Sequence, residues 1–123
     1  MRALEVVYFR EGSRVPMVDW LAELPLDARD VCIAYLRLLK QMGFEARRPI
    51  AGFLGEGIHE LRAKRRGVNY RMLYFFHGRS TVVVSHGFVK QRRTVPRIEI
   101  QRAVECMARF EADPVAHAFR SGV

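Results

Sequence analysis

The sequence predicts an α+β domain: an antiparallel sheet with an N-terminal α-hairpin and a C-terminal helix, the helices packed to one side. Three observations lead there. Apolar residues recur at helical spacing between Pro16 and Met42, and again between Ile100 and Phe110. Between Ile58 and Phe88, three β-branched and aromatic runs follow one another with only short turn-forming stretches between them. The chain has 123 residues, half of them apolar and 28% charged, which suits one hydrophobic core. A single domain over residues 1–123 is expected, with 113–123 forming either a short helical turn or a tail.

Ala3 to Phe9 (ALEVVYF) is β-branched and aromatic and ends at the turn signal Arg10-Glu11-Gly12, which predicts a first strand. Met17, Leu21 and Leu24 then follow a helical period until Pro25 stops it. A second helix is expected from Asp27 as N-cap to Gly43 as C-cap, with Val31, Tyr35, Leu38, Leu39 and Met42 on its apolar face. Phe44 to Gly57 holds one proline and three glycines beside Arg47-Arg48, and reads as an irregular, functional loop.

The meander comes next. In Ile58–Lys64, alternation puts His59, Leu61 and Ala63 on one face and Glu60, Arg62 and Lys64 on the other. Arg65-Arg66-Gly67 turns the chain into Val68–Phe76, apolar on both faces and therefore central. His77-Gly78-Arg79-Ser80 turns it again into Thr81–Phe88, where Val82, Val84, His86 and Phe88 are expected to share a face. After a basic loop, Pro96 opens a helix with Ile100, Ala103, Val104, Met107 and Phe110 on its apolar side, and Asp113-Pro114 closes it.

Charge is the strongest pointer to function. The formal net charge is +8, and between Leu61 and Ile98 ten Lys or Arg residues stand with no Asp or Glu. Such a surface suits nucleic acid, an anionic membrane or an acidic protein. No apolar run reaches the roughly 18 residues of a membrane span, and the N-terminus lacks the pattern of a signal peptide, so a cytoplasmic location is expected. Cys32 and Cys106 fall in helical segments without metal-ligand spacing and are expected as reduced core residues.

Arg71 is the most informative residue. It is the one charge inside a strand of Met, Leu, Tyr and Phe, so it either pairs with an acid, Glu60 on the adjacent strand, or opens onto a face that meets an anion. Arg62 and Lys64 lie about 6–7 Å apart along their strand, close to the spacing of successive phosphates, although a solvated edge explains such cations as well. The loop residues Lys90, Arg92 and Arg93 follow His86 and Phe88, which combines cations for a backbone with rings for an unpaired base. His86 fits equally a core histidine bonded to the backbone. No GxSxG, P-loop, Cys/His pairing or metal-holding carboxylate cluster occurs, so no cofactor or metal is expected. Chemistry on a phosphodiester would then use protons and guanidinium charge, with an RNA 2′-hydroxyl as nucleophile.

One series of residues resembles a known family. Leu54 to Gly57, Glu60-Leu61-Arg62, Tyr70-Arg71, His86-Gly87-Phe88-Val89-Lys90, and Thr94, Pro96, Glu99 and Ala103 resemble the RelE/HigB-like toxins of type II toxin–antitoxin systems, especially the phage-derived Gp49-like branch. The resemblance implies a compact microbial-RNase-like fold and a metal-independent endoribonuclease acting on ribosome-bound mRNA. It implies that Arg62 and Arg71 hold phosphate, that Lys64 and the Lys90–Arg93 loop bind RNA, and that a Lys or His moves the proton, with Glu60 structural. Together with the reading of the residues, the expected catalytic set is Arg62, Arg71, Lys90 and His86, and the expected RNA-binding set is Lys64, Arg65, Arg66, Arg92, Arg93 and Phe88. Implied partners are the ribosome, mRNA and a cognate antitoxin, typically a helix-turn-helix protein. The chain departs from some relatives in having no tyrosine after Tyr74 to act near the C-terminus, where only His117 stands. The same fold also serves ParE-type toxins that inhibit DNA gyrase, and a basic surface of this kind also suits a non-catalytic nucleic-acid binder.

Overall fold

A computed structural model describes residues 4–123. One six-stranded sheet is built from β1 (Glu5–Phe9), β2 (Ala51–Gly55), β3 (Ile58–Arg65), β4 (Val68–His77), β5 (Thr81–Lys90) and β6 (Ala118–Arg120). Its spatial order is β2-β3-β4-β5-β1-β6. All pairings are antiparallel except β1 with β5, which run parallel from Glu5↔Thr81 to Tyr8↔Val84. The predicted α+β class is therefore the observed one, and β4 is interior as its two-sided apolarity requires. Ala3, assigned to the first strand from sequence, lies outside the described residues.

The helices α1 (Pro16–Glu23) and α2 (Leu26–Met42) cover one face of the sheet; α3 (Arg97–Ala112) covers part of the other, followed by the short α4 (Pro114–His117). The helices are therefore not packed to one side as expected, because Leu73, Phe75 and Val83 make the second face apolar as well and α3 buries it. Pro25 breaks α1 from α2, and Arg29 from the second helix donates to the carbonyls of Leu21 and Ala22 in the last turn of α1, where Leu21 also accepts from the Leu24 N–H. Under the hairpin, Met17, Leu21, Cys32, Leu36 and Leu39 pack on Leu61, Ala63, Met72, Tyr74, Val82 and Val84. On the other face Ile58, Leu73, Phe75 and Val83 meet Ala103, Cys106 and Phe110 of α3. Both cysteines are buried free thiols, and burial pushes Cys32 up to about 12. Among the described residues no helix is long and apolar enough to cross a membrane.

Four further expectations are corrected. Residues 44–57 are not wholly irregular, because Ala51–Gly55 pairs with β3 as an edge strand despite its two glycines. Of the two alternatives for the C-terminal stretch the helical turn is observed, as α4, but a strand that neither alternative included follows it: β6 pairs with β1 from Val7↔Arg120 to Phe9↔Ala118. Asp27 is not the N-cap of α2; Pro25 holds that place, and the buried stripe is Ala28, Cys32, Leu36 and Leu39, leaving Leu38 exposed. Finally, a bulge in β5 makes Leu73 oppose His86 and Tyr74 oppose Val84, so Ser85 is an extra residue. Val82 and Val84 therefore face the hairpin, while His86 and Phe88 face the opposite way.

Candidate functional site: a cation cluster around Glu60

The bulge decides which side chains meet. Directly opposed residues of an antiparallel pair share a face. Register places Glu60 opposite Leu73, Arg62 opposite Arg71, and Lys64 opposite Asn69. Across the next seam Arg71 opposes Phe88, Asn69 opposes Lys90, and Leu73 opposes His86. One sheet face, the one that α3 covers only in part, thus carries Glu60, Arg62, Lys64, Arg71, His86, Phe88 and Lys90.

Arg71 is the centre of this face. Its Nε donates to Glu60 Oε1 at 3.0 Å and its Nη1 to the Tyr70 carbonyl at 3.2 Å. Both charged side chains are buried, each 5% exposed. Burial pulls the Arg71 pKa down from its ordinary value, Glu60 works against that, and Arg62 and Arg48 add to it. Its Nη2 makes no hydrogen bond to the described residues, yet it is not among the solvent-shielded atoms lacking a partner, so that edge of the guanidinium reaches solvent. A buried guanidinium held by a carboxylate, with one nitrogen left without a protein partner, is suited to an anion.

Lys90 lies at the mouth of the same cluster. Burial, then the charges of Arg71, Arg62 and Arg48, hold its ammonium below the ordinary lysine range, with Glu60 acting in the other direction. Arg48 is the member that sequence reasoning missed. It precedes β2, where Gly52 makes room for the Glu60 carboxylate: a Cβ at position 52 would stand 3.1 Å from Glu60 Oε2, and Arg48 Nη2 lies 3.7 Å from the same point. The Arg47-Arg48 pair inside a loop already marked as functional was the available signal. The pairing of β2 with β3 that carries it over Glu60 was not legible.

Not all predicted site residues gather here. His86 is 1% exposed, with Nδ1 2.8 Å from Ser85 Oγ and Nε2 2.9 Å from Glu99 Oε1. Burial and the nearby Arg102 lower its pKa to about 4 in spite of Glu99, so the ring is neutral near pH 7 and both nitrogens are engaged. Arg65 and Arg66 lie toward the helical hairpin, where their Nε atoms meet Asp27 Oδ2 at 3.1 and 2.7 Å. The Arg66 contact, followed by that of Arg65, draws the Asp27 carboxyl down to about 2. Lys64, Arg92 and Arg93 are exposed, and Phe88 is half-buried with its ring centroid 6.0 Å from that of His86. His59 is half-buried between aromatic rings, and burial lowers its pKa. His117 stacks on Phe9 and shares a 2.8 Å hydrogen bond with the Arg10 carbonyl, far along the sheet from Arg71. Among the described residues there is no grouping of three or more His, Cys, Asp or Glu side chains with metal-site geometry.

A sheet-borne cluster of guanidinium groups on a small α+β protein is a surface whose charge suits an anionic polymer. The phage-derived Gp49-like protein family (DUF891) matches residues 19–108, from within α1 to within α3, and the chain belongs to that family. Membership is compatible with the toxin of a toxin–antitoxin system, and such a toxin implies an antitoxin partner. No curated protein matches the chain.

Proposed function

We propose that this protein is the toxin of a toxin–antitoxin pair and that it cleaves ribosome-bound mRNA in the cytoplasm without a metal ion. The observation that carries this reading is the Arg71 guanidinium, fixed from behind by Glu60 and flanked by Arg62, Arg48 and Lys90 on one open sheet face. The arrangement supplies three or more positive groups where charge would build on a phosphate, and RNA supplies its own nucleophile in the 2′-hydroxyl. Arg71 and Arg62 stabilise the phosphorane-like transition state. Lys90, whose proton is held less tightly than that of an ordinary lysine, moves a proton between the 2′-oxygen and the leaving 5′-oxygen. Phe88 stacks against an unpaired base, and Lys64, Arg92 and Arg93 hold backbone phosphates of mRNA or ribosomal RNA. His86 acts from below, holding the bulge that points Phe88 and Lys90 toward Arg71.

The test is induced expression in a bacterial host with transcript 5′ ends mapped within minutes, beside an Arg71→Ala control. New ends inside translated frames, reduced about 100-fold in the control, are expected. Arrest with intact transcripts would replace this reading with a gyrase-directed toxin of the same fold. Salt-sensitive RNA binding with neither arrest nor cleavage would replace it with a passive nucleic-acid binder.

A further inference from the structure

The sheet face opposite the cation cluster ends, beside β2, in a ribbon of aromatic rings. Centroids run from Phe44 to Phe76 at 4.2 Å, from Phe76 to His59 at 5.2 Å, and from His59 to Phe53 at 4.9 Å. The two ends of the ribbon are open to solvent: Phe44 is 58% exposed and Phe53 is 64% exposed. Strand β2 is the outermost strand, and its sequence AGFLG carries none of the lysines or prolines that ordinarily discourage pairing at an edge. The Arg62 N–H donates to the Ile50 carbonyl at 2.8 Å. Antiparallel alternation then gives Gly52 to β3 and turns the N–H and C=O of Phe53 outward. The two sides of β2 differ in chemistry. Phe53 stands on the aromatic side, whereas Gly52 lies on the side of Glu60 and Arg48.

We infer that the outer edge of β2 accepts an extended segment of the antitoxin partner, alternating apolar residues over Phe44 and Phe53 with acidic residues over Arg48 and Arg62. This rests on the toxin reading and adds the place and chemistry of neutralisation. A strand projects successive side chains to opposite faces, so one short segment reaches both surfaces at once. Its carboxylates take the positions that phosphates would otherwise occupy, which makes docking and inhibition one event. A second copy of the chain is disfavoured as occupant because each copy carries a formal net charge of +8.

The experiment uses the whole chain co-produced with the neighbouring reading frame whose product restores growth. Amide hydrogen exchange is compared for the isolated toxin, inactivated by Arg71→Ala, and for its complex. Pairing is expected to slow exchange at Phe53 by about tenfold or more. In the active toxin, Phe53→Asp and Phe44→Asp are expected to weaken neutralisation by about tenfold or more while leaving growth arrest intact, with Phe53→Ala as the milder companion. A tight, neutralising complex in which Phe53 exchanges as before overturns the inference and leaves the toxin reading standing. Loss of mRNA cleavage in Phe53→Asp, with the variant binding its partner as tightly as the wild-type chain does, also overturns it, by making the ribbon a platform for RNA bases. Absence of arrest by the wild-type chain removes the toxin reading and this inference with it.

Discussion

Arg71 Nε and Glu60 Oε1 meet at 3.0 Å across β3 and β4, and each side chain is only 5% exposed. The pair joins stability to the proposed function, because the carboxylate that compensates the buried guanidinium also fixes its orientation. Removing one partner leaves an uncompensated buried charge, which costs about 3–5 kcal/mol. Glu60→Ala is therefore expected to lower unfolding free energy by about that much in urea titration, and Arg71→Ala by a similar amount. Replacing both, as Glu60→Leu with Arg71→Met, is expected to recover most of the loss while leaving mRNA cleavage abolished. Recovery of stability without activity would separate the structural role of the pair from the role proposed for it toward phosphate.

The neutral His86 makes stability depend on pH in a defined direction. Its ordinary pKa of about 6.5 applies to the unfolded chain, whereas burial brings the folded value to about 4. Between those values the unfolded chain holds the extra proton, so stability is full above pH 6.5 and falls as pH drops toward 4. A loss on the order of 1–3 kcal/mol across that window is expected from urea titrations at pH 7.5 and 4.5. His86→Asn should flatten most of the slope. The lowered pKa of His59 contributes in the same direction, and His59→Phe isolates its share.

Much of the sheet was legible because its signals are local. The turns at Gly67 and Gly78 bound runs of β-branched and aromatic residues, and Glu60, Arg62 and Lys64 alternate as a half-buried strand must. Two strands escaped notice because their pairing is a property of the partner. Ala51–Gly55 has two glycines and is held by β3, and Ala118–Arg120 has three residues and is held by β1. The bulge at Ser85 escaped for another reason: alternation cannot reveal one inserted residue when Val82, Val83 and Val84 are all apolar and all buried. That one residue sends Phe88 and Lys90 to the side of Arg71. The candidate site was thus named largely from charge, and its geometry followed from features that charge does not encode.

Gly87 pins the bulged strand from the opposite side. A Cβ there would lie 2.3 Å from Trp20 Cε3 and 2.4 Å from Cζ3, so α1 rests its indole directly on the backbone of β5. Gly87→Ala is expected to destabilise the fold by about 1–3 kcal/mol or more, through displacement of Trp20 from its edge-on contact with Tyr70. A lowered denaturation midpoint with an unchanged m-value is the expected signature. Trp20→Leu combined with Gly87→Ala should lose less than the two single changes added together, because the clash is removed with the ring.

Arg48 offers the sharpest test of the cluster, because its place depends on tertiary pairing and not on the basic meander. It is exposed, it precedes the edge strand, and its charge bears on both Arg71 and Lys90. Removing it should therefore act on chemistry more than on folding. Arg48→Ala is expected to leave unfolding free energy within about 0.5 kcal/mol of wild type, as for surface substitutions generally. Cleavage should fall by about 10–100-fold, the range expected when a cation that stabilises developing phosphate charge is lost. The same change takes a repelling charge away from Lys90, whose pKa should rise, so the limb of the pH–rate profile that reports Lys90 should move to higher pH. Arg48→Lys keeps the charge and should retain the wild-type position of that limb. An Arg48→Ala protein with unaltered rate and unaltered pH profile would exclude Arg48 from the site and confine the catalytic cations to β3, β4 and β5.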